Sequence, residues 1–338
     1  MDKLVSILIP AYNSERWIAE TIRSALNQTW LRKEIIIVDD GSSDNTPHIL
    51  RSFQSGLVKI ITQENMGSTA ARNKALSYAQ GDYIQWLDND DLLAPDKISQ
   101  QLKHSIDTQN ERILFSASLG LFYYCTERAK FMCNSLWQDL TPLDYFLFKF
   151  NKNIWLQSGQ WLVSRKLTEM AGPWLEIRTP DDDGEYFCRV VANCEKIKFV
   201  PEAIAYWRVG QFGSLNQARS DQALSALFIS ISRSIDHLRA FEDSDRTRAA
   251  CLKYLHNRLW YFYPDKPALL EKAKNLAREL GGDLLPPKES MKFSLVRKVF
   301  GWKIAKNLKN TVWRAETLAL KNWDRLIFKI ANVKKSSA

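Results

Sequence analysis

The sequence predicts an α/β fold in which a mostly parallel sheet is flanked by helices and followed by a C-terminal helical extension. Three observations carry this. Short, apolar, β-branched runs alternate with helix-patterned stretches from residue 4 to residue 87, the mark of successive βαβ units with right-handed crossovers. Those runs are apolar throughout, as in strands covered on both faces. From about Asn216 the apolar spacing is helical only.

In order, Leu4–Ile9 reads as the first strand and Pro10-Ala11-Tyr12-Asn13 breaks it. Ser14 is expected to cap a helix from about Glu15 to Gln28, with Trp17, Ile18, Ile22 and Ala25 on one face. Glu34–Val38 is a second strand, ending at Asp39-Asp40-Gly41-Ser42, and Ser43 or Asp44 opens a helix towards Phe53. Val58–Ile61 is a third strand, Gly67–Gln80 an Ala-rich helix, and Tyr83–Leu87 a fourth strand.

In such sheets the ligand site lies beyond the carboxyl ends of the strands. Here the fourth strand runs into Asp88-Asn89-Asp90-Asp91, three carboxylates within four residues. Carboxylates so close need a counter-charge, which a hard divalent cation with oxygen ligands supplies. The plain alternative is a solvated acidic turn that caps the next helix. There is no GxGxxG after the first strand and no GxxxxGK[ST], which weakens dinucleotide and P-loop readings.

Composition bounds the rest. The chain has 338 residues, long enough for one large domain with an appendage or for two domains. The formal charge is +9, but Met291–Ala338 holds twelve Lys or Arg against Glu316 and Asp324, a net of +10, so the first 290 residues carry about −1. The body is therefore no general nucleic-acid binder. Five cysteines without a CxxC pair favour reduced thiols in a cytosolic compartment, and the four histidines form no ligand pattern. We read no signal peptide at the N-terminus, and no run approaches 18 apolar residues.

Four segments together carry a family resemblance: Ser6–Asn13 (SILIPAYN), Ile37–Asp44 (IVDDGSSD), Asn65–Asn73 (NMGSTAARN) and Leu87–Asp91 (LDNDD). In this order and spacing they resemble the family-2 glycosyltransferases of the GT-A fold, clearly over about 90 residues and more faintly to about residue 215. The resemblance implies an inverting enzyme that moves a sugar from a nucleotide-diphosphate sugar, most simply a UDP-sugar, to an acceptor hydroxyl. Pro10, Ala11, Tyr12 and Asn13 match the segment whose backbone meets the nucleotide, with Glu15 in its usual position. Asp39 matches the acid that accepts the base N–H; alternatively it only shapes a turn with Gly41 and Ser42. Gly67 opens the helix whose Arg72 matches the donor-side arginine, the alternative being a surface arginine. Asp88, Asn89 and Asp90 match the DxD motif. By that pattern Asp90 coordinates Mn²⁺ or Mg²⁺ with the diphosphate, Asp88 holds the ribose or supports the metal, and Asp91 caps the next helix.

Downstream, Pro95 is expected to open a helix to about Asp107, and Ile113–Leu119 and Gly120–Cys125 to form two antiparallel strands. Thr141–Leu147 reads as a short helix, Ile154-Trp155 as a strand end, and Ser158–Arg165 as a strand entering a helix. In Asp181-Asp182-Asp183, leading into a helix with Arg189, Asp183 aligns with the family's catalytic acid and Asp182 with its flanking Glu. One would be the general base for the acceptor hydroxyl; alternatively the triplet is a helix cap favoured by the dipole. Phe199–Arg208 closes the domain, and the family's His after this arginine is missing, which leaves Gln211, Ser214 or a water to substitute.

The expected division is a GT-A domain over 1–215, a helical extension over 216–285, and a basic amphipathic tail over 286–338. In the tail, Phe293, Val296, Phe300, Ile304, Leu308, Val312 and Ala315 share helical spacing among many Lys and Arg, with Trp302, Trp313 and Trp323. Basic charge, amphipathicity and interfacial Trp suggest peripheral contact with an anionic membrane through residues 291–338, at the inner face of the cell membrane. Packing on the protein itself or on a partner is the alternative, and RNA binding a weaker one. A lipid-linked or glycan acceptor in cell-surface polysaccharide assembly fits such a position. The absence of QxxRW argues against a processive synthase. A non-catalytic nucleotide-sugar or glycan binder on the same fold is the alternative function, and a nucleotidyltransferase a further one.

Overall fold

The structure is a computed structural model and describes residues 3–106, 110–210, 220–287 and 291–336. Its centre is a five-stranded sheet in the order β3-β2-β1-β4-β8. β1 (Val5–Ala11), β2 (Lys33–Asp39), β3 (Val58–Thr62) and β4 (Tyr83–Trp86) run parallel, and β8 (Val163–Ser164) is antiparallel to β4. The connecting helices are α1 (Ile18–Leu26), α2 (Thr46–Arg51) and α3 (Ser68–Tyr78). The mostly parallel sheet is thus as the apolar runs predict.

Alternation along the strands divides the core. Val5, Ile7, Ile9, Ile35 and Ile37 point to one face, where α1 and α4 (Lys97–Ile106) cover them. Leu8, Ile36, Val38, Ile84 and Trp86 point to the other and pack with α5 (Pro142–Lys152), α6 (Arg165–Ala171) and α7 (Asp182–Asn193). Register sets the site: Ala11 pairs with Asp39 and Leu8 with Trp86, so the carboxyl ends of β1, β2 and β4 finish side by side.

A second sheet, β5-β9-β6-β7, lies beside the first. It comprises β5 (Leu92–Leu93), β6 (Ile113–Phe122), β7 (Lys130–Phe131) and β9 (Lys196–Arg208). Residues 113–122 form one strand parallel to β9, not the two antiparallel strands expected. Gly120 does not break it. A side chain there would meet the Tyr206 ring at 2.9 Å, so its glycine serves close approach. Ile154 and Trp155 end no strand: the chain leaves α5 through left-handed Asn153 and enters a 3-10 turn, Ser158–Gln160. Only Val163 and Ser164 of the expected 158–165 strand pair.

Three helices follow: α8 (Asp221–Phe241), α9 (Asp245–Arg258) and α10 (Pro267–Glu279). They extend the core behind α7, where the Phe150 and Tyr254 rings stack 4.1 Å apart. The tail is one long helix, α11 (Met291–Ser336), kinked at Gly301. One side of it docks on the body. Asp324 accepts the backbone N–H groups of Tyr124 (2.9 Å) and Cys125 and pairs with Arg128, and Lys321 donates to the Gly210 carbonyl at 2.6 Å. Ile304, Leu308, Val312, Trp323 and Leu326 remain exposed on the other. Among the described residues no helix is long and apolar enough to cross a membrane.

Candidate functional site

The loops after β1 and β2 are zipped together. Asn13, in the left-handed region, accepts the Ser43 N–H on its side chain at 2.8 Å and donates its own N–H to the Ser42 hydroxyl. Glu15 accepts the Asn45 N–H at 2.9 Å. Ser14 does not cap α1, which begins only at Ile18. Its carbonyl accepts the Trp17 and Ile18 N–H groups, while its hydroxyl is buried without a partner. Pro10 and Ala11 are buried, and Tyr12 is half exposed at the rim.

The two acids ending β2 have different surroundings. Asp40 accepts three hydrogen bonds, from Gln63 Nε2 and from the N–H groups of Met66 and Gly67 (2.8–2.9 Å). It thereby anchors the loop that opens α3 at Gly67, where φ is +99°. Asp39 accepts the Ser42 N–H at 3.1 Å, and its other oxygen has no protein donor among the described residues.

Arg72 rises from α3 into the space between the acidic turns. It is buried, lies 4.5 Å from the Trp174 ring, and donates to Asp88 at 2.7 Å and to Asp182 at 2.6 Å. It is no surface arginine. Two carboxylates outweigh the burial that would lower its pKa, and it is held as a cation. Ser68 also donates to Asp182, at 2.9 Å.

The turn after β4 has three acids in three roles. Asp88 gives one oxygen to Arg72 and the other to Gln157 Nε2 at 3.0 Å. Asp91 is not a helix cap. It is buried and accepts from Gln157 (2.7 Å) and from the Arg208 N–H (2.8 Å), because β9 and the 3-10 turn reach it before α4 can. Asp90 holds the turn through its backbone carbonyl, which accepts Arg208 Nε at 2.8 Å, while its carboxylate takes no bond from another described residue. Burial and then Asp88 push Asp90 up to about 7, with Arg208 only partly offsetting them. An acid left so exposed to like charge suits an oxygen-ligated cation. Among the described residues no cluster of three His, Cys, Asp or Glu forms a complete metal site, and Gln211 and Ser214 lie outside the described residues.

Asn89 faces the same turn, its carbonyl accepting the Thr21 hydroxyl at 3.1 Å. Across from it α7 begins at Asp182. Asp183 has only the Ser158 hydroxyl within reach, at 3.5 Å. Burial, then Asp182, Asp181 and Asp88, push Asp183 up to about 7, with Lys149 pulling the other way. That poises a carboxylate to accept a proton near neutrality. Asp182, tied to Arg72 and Ser68, is not similarly free.

Sequence reasoning missed Gln157, which touches both Asp88 and Asp91, and the joint made by Arg208. The Arg208 guanidinium sits between Trp17 (4.0 Å) and Phe122 (4.4 Å) and pairs with Glu20 at 2.6 Å. An arginine ending an apolar strand was the one visible signal. Of the tryptophans able to stack on a sugar, Trp161 and Trp174 are buried and Trp155 is 47% exposed.

Comparison with known proteins agrees with this layout. Residues 6–117 match the family model "Glycosyl transferase family 2". The Escherichia coli UDP-Glc:alpha-D-GlcNAc-diphosphoundecaprenol beta-1,3-glucosyltransferase WfgD is 42% identical over 102 residues, 30% of this chain and 40% of that one. The chain spans about half the length, or less, of the first curated relatives it matches. S. aureus TarS 1-349 in complex with UDP-GlcNAc superposes with a TM-score of 0.64 at 15% identity, covering 82% of this chain and 80% of TarS. The mannosyltransferase PcManGT from Pyrobaculum calidifontis, in complex with GDP-Man and Mn2+, gives 0.50 at 17% identity, over 96% and 88%. The register that gathers the acids of β2 and β4 is thus that of a known family, and the chain carries a family-2 glycosyltransferase domain on the GT-A fold.

Proposed function

We propose that the protein is an inverting glycosyltransferase that moves a sugar from a nucleotide-diphosphate donor, a UDP-sugar, to a hydroxyl of a glycan or lipid-linked acceptor in cell-surface polysaccharide assembly. The observation that carries this is the pairing of two raised carboxylates, Asp90 and Asp183, on either side of the Asp88–Arg72–Asp182 bridge. The UDP-glucose and diphosphoundecaprenol in the name of WfgD, and the UDP-GlcNAc bound by TarS, support the donor and acceptor classes.

In this reading Pro10 to Asn13, Glu15 and Asp39 line the nucleoside, the free oxygen of Asp39 accepting the base N–H. Gly67 lets the chain come close, and Arg72 meets the phosphates. Asp90 holds Mn²⁺ or Mg²⁺, with Asp88 and Asn89 supporting the ribose or the ion. When bound, the cation neutralises charge gathering on the departing nucleoside diphosphate. Asp183 takes the proton of the acceptor hydroxyl as its oxygen bonds to the anomeric carbon. The bond from that carbon to the diphosphate breaks on the opposite face, so the configuration inverts. Asp182 keeps Arg72 in place. Residues 216–285 brace α7 from behind.

Two substitutions test this with UDP-sugars and Mn²⁺. Asp90→Asn abolishes Mn²⁺-dependent UDP binding in calorimetry. Asp183→Asn keeps donor binding and lowers kcat by about 10²–10⁴-fold, the range for a lost general base. Turnover that survives in Asp183→Asn but not in Asp182→Asn reverses the assignment of the base.

The exposed apolar side of α11, rimmed by Lys and Arg, lies on an anionic membrane surface in this reading, at the cytoplasmic side. Deleting residues 291–338 releases the protein from anionic liposomes in flotation. Retention on them makes α11 a packing element only.

A further inference from the structure

We propose that Gln157 is a positioning residue for the donor turn: its amide orders Asp88 and Asp91 and thereby leaves Asp90 as the acid free for a cation. The inference rests on the metal-dependent donor site proposed above. Gln157 stands at the head of the Ser158–Gln160 turn and is buried. Its backbone N–H donates to Gln160 Oε1 at 2.8 Å, and its own Oε1 accepts the Gly159 N–H at 2.7 Å. A backbone N–H can only donate, so the amide orientation is fixed. Both hydrogens of Nε2 must then face the acids, 3.0 Å from Asp88 Oδ2 and 2.7 Å from Asp91 Oδ2.

The turn that carries Gln157 is itself anchored. Gln160 Nε2 donates to the Ala117 carbonyl in β6, and Gln85 Nε2 donates to the Gly159 carbonyl from β4. The next residue, Ser158, faces Asp183. One short turn therefore touches the donor-side acids with one side chain and the candidate base with the next.

Without this amide, Asp88 Oδ2 has no donor, and Asp91 keeps only the Arg208 N–H. Two carboxylates released at this strand end compete with Asp90 for any cation and change its coordination. The effect should fall on metal-dependent donor affinity, since the nucleoside side of the site is built by β1 and β2.

The test is calorimetry of UDP binding with and without Mn²⁺ in wild type, Gln157→Leu and Gln157→Glu. Glutamate has the shape of glutamine but brings no paired N–H donors, so a packing role is rescued by Glu and a positioning role is not. We expect both variants to lose about 10–100-fold of Mn²⁺-dependent UDP affinity, the usual cost of removing a partner of a metal ligand. Metal-free UDP affinity should be unchanged. Wild-type affinity in Gln157→Glu overturns the inference, as does an equal loss with and without Mn²⁺. If Gln157→Leu does not fold, the Glu variant decides alone. A wild type whose UDP affinity ignores Mn²⁺ fails the functional reading at the first titration, a result distinct from either.

Discussion

Two strand ends in this molecule carry neighbouring acids, and they have opposite surroundings. After β2, Asp40 accepts three hydrogen bonds from its own sheet and the α3 loop. After β4, Asp90 accepts none from another described residue, and burial with Asp88 pushes it up to about 7. The sequence patterns look alike: acid, acid or amide, then a small or polar turn. What separates a structural acid from a candidate ligand is the supply of donors. Asp40 is a joint, whereas Asp90 is held by its backbone through Arg208 and keeps its side chain unspent.

The comparison is sharpened most by catalysis. Asp183 resembles Asp90 in being raised to about 7, so its carboxylate form disappears as pH falls through that value. A base must be ionised to take a proton. The expected kcat is flat above about pH 7.5 and falls about tenfold per unit below 7. A flat profile from pH 5 to 8 removes Asp183 as the base. A smaller effect lies on the other side of the comparison. Asp40→Ala strips three donors of a buried acceptor and costs about 2–3 kcal/mol in urea unfolding, whatever the pH between 6 and 8. An unchanged midpoint would mean that the α3 loop is held by other contacts.

Much of this was legible along the chain. Strand order followed from periodicity, and the acids of β2 and β4 stood at strand ends where a parallel sheet gathers ligands. The illegible parts depend on partners far away in sequence. Asp91 precedes a helix, so local rules make it a cap, yet Gln157 and the Arg208 N–H claim it from 66 and 117 positions away. Ser14 likewise has the chemistry of a cap, but the turn to Ile18 spends its carbonyl and buries its hydroxyl. In the tail, periodicity showed an amphipathic helix. Which side docks is decided by Asp324 and Lys321, whose partners on the body no spacing reveals.

The smallest expected effect is the most direct test of the contrast. Asp90 in the folded chain titrates near 7, above the ordinary carboxylate range, so the folded state binds a proton more tightly than the unfolded one. That contribution stabilises the protein at low pH and is lost as pH rises from about 4 to about 7. Above 7 the metal-free protein carries a charge it does not neutralise. Asp90→Asn removes that charge. It should raise the stability of the metal-free protein by about 1–2 kcal/mol at pH 8, less than the full shift because water and Arg208 screen the site. It should change little at pH 4, where Asp90 is already protonated. Thermal melts at the two pH values read both limbs. An Asp90→Asn variant that is destabilised at pH 8, as Asp40→Ala should be, would make both acids joints and erase the distinction between the two strand ends.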